Sequence, residues 1–83
     1  MEVVLHLAGY CIETAAKKRY EMLVQKLLNE DIEDENKERE LEFLLEFLKN
    51  ANFSELRRQG FDGSREMRVK VKREGKDFII EEI

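Results

Sequence analysis

Glu2-Val3-Val4-Leu5-His6-Leu7-Ala8-Gly9 is the stretch on which the architecture turns, because it can be read with two periods. Taken with the residues after it, the apolar positions Val4, Leu7, Ala8, Cys11, Ile12, Ala15, Ala16, Tyr20, Leu23, Val24, Leu27 and Leu28 recur in steps of three and four. That spacing makes one broad helical face opposite Glu13, Lys17, Lys18, Glu21 and Gln25. It predicts a continuous helix from about residue 2 to 29. Two features point the other way: residues 2–7 include the β-branched pair Val3-Val4, and Gly9 either ends a short strand or weakens a helix interior by about 1 kcal/mol.

Downstream, Asp34 is placed to cap a second helix over about residues 35–50, with Glu35 and Glu38 at the positive end of its dipole. Leu41, Leu44, Leu45 and Leu48 form its main stripe, and Phe43 and Phe47 widen that stripe to a second contact surface. Ser54 is expected to cap one further turn over residues 55–59, closed by Gly60 in a left-handed conformation. Phe61-Asp62-Gly63-Ser64 is turn chemistry. Met67, Val69 and Val71 then alternate with Arg68, Lys70 and Lys72, the period of a half-buried strand.

These elements predict a single α+β domain over residues 1–83. It comprises two long antiparallel helices, a short helical turn and a C-terminal antiparallel hairpin with strands at about 66–73 and 77–82. A tight turn at Glu74-Gly75 would pair Val71 with Phe78, Val69 with Ile80, Lys72 with Asp77 and Arg68 with Glu81. A turn at Gly75-Lys76 would set Val69 against Glu82 and Arg73 against Phe78. The first register matches both faces and is the one expected.

A chain of 83 residues buries a smaller fraction of its surface than a domain twice its size. Small domains recover stability through disulfides, metals or association. Cys11 is the only cysteine and His6 the only histidine, so an internal disulfide is impossible and a zinc site lacks ligands. A partner chain is the remaining source. The expected first helix would be about 42 Å long at 1.5 Å per residue, more than such a domain needs to cover its own hairpin. A homodimer, or a small complex with a protein partner, follows, with Leu7, Cys11, Phe43 and Phe47 as the candidate interface. The apolar start lacks a basic leading segment and meets Glu13, which fits neither a signal peptide nor a span of about 20 apolar residues. The expected location is cytoplasmic.

Charged residues make up 41% of the chain and proline is absent, a usage resembling that of thermophile proteins. Their placement is uneven. Residues 1–53 carry 7 basic and 12 acidic side chains, whereas residues 54–77 carry 8 and 5. The cations of the second segment, Arg57, Arg58, Arg65, Arg68, Lys70, Lys72, Arg73 and Lys76, are the candidate contacts to a nucleic-acid backbone. Glu55, Asp62, Glu66, Glu74 and Asp77 interleave with them, and a solvated face with local ion pairs is the stronger reading.

Catalytic constellations are hard to assemble. Ser54 and Ser64 read as cap and turn residues, and His6 and Cys11 stand five apart, pointing in different directions on a helix. Asp31, Glu33, Glu35 and Glu42 take loop positions of a calcium hand, but Asn36 stands where that loop needs glycine. Gly60 and Gly63 precede a strand, which excludes a phosphate-cradling loop ahead of a helix. The function expected is a non-enzymatic protein-interaction or structural module with no cofactor. A nucleic-acid-associated protein using residues 57–76 is the alternative.

Overall fold

A computed structural model describes residues 1–30 and 34–83. The expected 2–29 helix is in fact two elements: a strand, β1 (Glu2–Leu7), and a helix, α1 (Ile12–Glu30). Val3, Leu5 and Leu7 are buried and Glu2, Val4 and His6 are exposed, a period of two. Val4, an apolar-face position of the expected helix, is thus exposed, and Val3 and Leu5, off that face, are core. Gly9, at φ +77°, turns the chain between the two elements.

The second helix, α2 (Glu35–Asn50), starts where expected, and the Asp34 carboxylate accepts from the amides of Asn36 and Lys37. It lies against α1, and Arg19 Nε reaches Glu40 Oε1 across the pair at 2.9 Å. A short helix, α3 (Phe53–Arg58), follows. Its cap is Asn52, whose side chain accepts from the Glu55 amide, and not Ser54, which lies inside the helix and accepts from Arg57. Part of the calcium-hand reading, Asp31 and Glu33, falls outside the described residues. Among the described residues no group of three or more His, Cys, Asp or Glu side chains is placed to hold a metal ion.

Strands β2 (Met67–Glu74) and β3 (Asp77–Glu82) form the hairpin, and β1 pairs antiparallel with the other side of β2. The result is a three-stranded antiparallel sheet in the order β1-β2-β3. Two-residue hairpin loops favour glycine at a positive φ. Gly75, at φ +63°, stands first in a Gly75-Lys76 turn, which corrects the expected register: Val71 faces Ile80, Arg73 faces Phe78 and Val69 faces Glu82. The two apparent mismatches are resolved by tertiary contacts. Arg73 lies over the Phe78 ring at 5.6 Å, and Glu82 accepts two hydrogen bonds from Arg65, at 2.7 and 2.8 Å. In this register Phe78 meets Phe43 and Phe47 edge-on, at centroid separations of 5.6 and 5.2 Å.

One core joins the inner face of the sheet to the helices: Leu7, Val69 and Val71 from the strands, and Ile12, Ala16, Leu44 and Phe47 from the helices. The 19 residues of α1 extend about 28 Å, close to the roughly 27 Å of the eight-residue β2. The helix therefore matches the sheet, and the length surplus that suggested a partner is absent. At one end, the Ile12 amide donates to Phe61 O at 3.1 Å. Gly63 is pressed against the Tyr10 backbone, where an added Cβ would collide with the carbonyl oxygen.

Candidate interaction surfaces

The four residues expected at a dimer interface are mostly committed to the chain's own core. Leu7, Phe43 and Phe47 are buried, Leu7 beneath the helices and the two phenylalanines against Phe78 and Phe53. Leu7 and Phe47 are closed to a second chain, whereas Phe43 borders a groove. Cys11 is half-buried immediately before α1, its Sγ 3.6 Å from Thr14 Oγ1. Burial pushes its thiol up, but the Thr14 amide and hydroxyl, the Glu13 amide and the Arg57 charge outweigh that and leave it below the ordinary thiol value.

The basic segment is divided among separate places. Arg57 pairs with Glu13 at 3.7 Å and Arg58 with Glu55 at 2.7 Å, both on α3. Arg65 forms a two-pronged bond with Glu82, which holds that carboxyl below its usual range. Arg73 faces the helix side of the sheet, over Phe78. Lys76 lies in the hairpin turn beside a cleft with Asn52 and Phe78. Only Arg68, Lys70 and Lys72 fall in one column, along the outer face of β2. Lys70 has Glu2 at 3.7 Å and Lys72 has Glu81 at 3.5 Å.

Two surfaces escaped the sequence reading. The first is a groove of about 580 Å³ lined by Met1, Arg39, Glu42, Phe43, Leu45, Glu46 and Arg73. Met1 and Leu45 are exposed within it, as are Val4, Met22, Leu28 and Ile83 elsewhere.

The second is the outer edge of β1. The Ile83 amide donates to Arg68 O at 2.9 Å, so Arg68 and the even-numbered residues of β2 direct their backbone groups toward β3. Met67, Val69 and Val71 consequently face β1, where they oppose Leu7, Leu5 and Val3. Glu2, Val4 and His6 must then turn their amides and carbonyls outward. Among the described residues no backbone group bonds to that edge. The alternation in residues 2–7 was the signal that could have revealed it, hidden by the stronger three-four pattern beyond Gly9.

Together these features define a small α+β protein whose described residues form three helices and a three-stranded antiparallel sheet, with the outer face and first edge of that sheet uncovered among them. The chain belongs to a protein family that matches residues 1–81. It is similar to an uncharacterized protein of the thermophilic archaeon Archaeoglobus fulgidus, 72% identical over 85 residues and covering 100% of each chain. No solved structure matches. No described helix is long and apolar enough to cross a membrane.

Proposed function

We propose that this is a non-enzymatic protein-interaction or structural module of the cytoplasm, working as a homodimer or as one subunit of a small complex. The observation that carries this reading is the apolar surface the fold leaves uncovered. Met1 and Leu45 are exposed around the groove beside Phe43, and Val4 is 47% and Leu28 72% exposed. Single exposed apolar residues are ordinary; here they accompany an unpaired strand edge, a second feature that a partner chain would cover. Sedimentation equilibrium from micromolar to about 100 µM should give a mass above 9.9 kDa for the isolated chain, or above it once a co-purifying protein is retained. A folded chain that stays at 9.9 kDa and brings no partner from its native source would refute the proposal.

Nucleic-acid binding is the second reading, favoured by the column of Arg68, Lys70 and Lys72 on the open face of the sheet. The pairing of Lys70 and Lys72 with carboxylates weighs against it. Retention on heparin that weakens steeply with salt would support this alternative, and passage through the column at low salt would remove it.

A further inference from the structure

We infer that two copies of this chain join edge to edge through β1, making one continuous six-stranded antiparallel sheet; this rests on the homodimer form of the reading above. The backbone supplies the first argument. An exposed edge is a row of unpaired donors and acceptors, and proteins ordinarily blunt it with lysine, proline, a bulge or a covering segment. β1 has almost none of the sequence devices: residues 2–7 contain no lysine, arginine, proline or glycine, and Glu2 at one end is their one acid. The other edge, β3, carries Asp77, Glu81 and Glu82 with no basic residue, so two β3 strands would bring like charges together.

Register supplies the second argument. Residues directly opposite each other in an antiparallel pair share a face, so a two-fold joint must match odd with odd and even with even. Centring the axis on Val4 does this. Val4 then opposes Val4 of the partner subunit, and Glu2 of each copy opposes the other's His6, with Val3 against Leu5 on the inner face. All three outward-directed residues, Glu2, Val4 and His6, become hydrogen-bonded positions, giving a ladder of about six bonds. Glu2, with Lys70 of its own chain at 3.7 Å, then stands opposite His6, whose Nε2 reaches Glu66 of its own chain at 2.9 Å, and the exposed Val4 is covered by its counterpart. Both helical layers fall on the same side of the joined sheet.

Amide hydrogen exchange on the intact chain tests this directly. At about 100 µM, the Val4 and His6 amides should exchange at least about tenfold more slowly than those of Phe78 and Ile80, which point out from the other edge. The protection should fade on dilution as the mass falls to that of the monomer. Val4→Pro removes the central outward donor without touching the β1–β2 ladder. It should raise the dimer dissociation constant by about 100-fold while circular dichroism is unchanged, whereas Ile80→Pro should leave association intact. If Val4→Pro does not fold, the exchange data on the unaltered chain decide. A dimer whose Val4 and His6 amides exchange as fast as Phe78 and Ile80 would overturn this interface while leaving self-association standing. A chain that is monomeric throughout would overturn both this joint and the homodimer form of the broader proposal, whose complex-subunit form the co-purification experiment tests separately.

Discussion

Gly63 illustrates how one residue can hold two elements in place. Its φ of +82° is a conformation that side-chain-bearing residues rarely adopt, and the space a Cβ would need is already occupied by the Tyr10 backbone. Gly63→Ala would have to relieve both the strain and a contact with main chain that cannot rotate away. We expect a loss of about 2 kcal/mol or more, read as a lower urea midpoint. Gly75→Ala should cost less, since nothing lies within 4 Å of its added methyl group and only the φ of +63° is strained. Both glycines were legible in the sequence as turn residues, but the closeness of Gly63 to Tyr10 was not. Contacts between loops about fifty residues apart leave no local period to detect.

Among the elements, α2 was the most legible because its signals agree: a capping aspartate, early acids and an apolar stripe, of which Leu44 and the flanking Phe47 are fully buried while Leu45 is exposed. α3 was legible in position but not in its cap, since Asn52 and Ser54 are both competent and only the fold selects between them. Asn52→Ala should destabilise the protein by about 1 kcal/mol, and Ser54→Ala by less than half of that, in thermal melts. β1 was misassigned because six residues supply too little alternation to outweigh a helix pattern running on behind them, and the ladder that stabilises it comes from β2, some sixty positions away. The hairpin register failed for a related reason. Matching of like side chains favoured Val71 against Phe78, whereas the turn glycine and the aromatic contacts of Phe78 with Phe43 and Phe47 favour Ile80. Strong Hα–Hα Overhauser contacts from Val71 to Ile80 and from Arg73 to Phe78 are expected; contacts from Val71 to Phe78 would restore the earlier pairing.

At the scale of the whole molecule, interleaved charge fastens the periphery of the sheet. Glu2 with Lys70, Lys72 with Glu81 and Arg65 with Glu82 tie neighbouring strands or their approaches, and His6 Nε2 reaches Glu66 at 2.9 Å. The pairing with Arg65 lowers the Glu82 carboxyl, and hydrogen bonds from the Ser64 hydroxyl and amide lower that of Asp62. Folded-state values below the unfolded ones mean that these groups support the fold above the unfolded carboxylate range, about pH 4, and lose that support as pH falls through the lowered values. Urea midpoints should be nearly flat from neutral pH down to about 5 and then fall with further acid. Glu82→Gln should flatten part of that fall. Because both carboxylates are exposed, high salt at neutral pH should shift the midpoint only slightly.

The pairing of Leu7 with Met67 has a consequence for biosynthesis. Translation proceeds from Glu2 toward Glu82, so the helical hairpin of α1 and α2 can close while still tethered to the ribosome, with its apolar underside bare. β1 has nothing to zip onto until β2 leaves the exit tunnel, and loops of this length make such late, distant closures slow. The nascent chain therefore passes through an interval in which its stickiest strand is naked, when chaperone shelter would matter most.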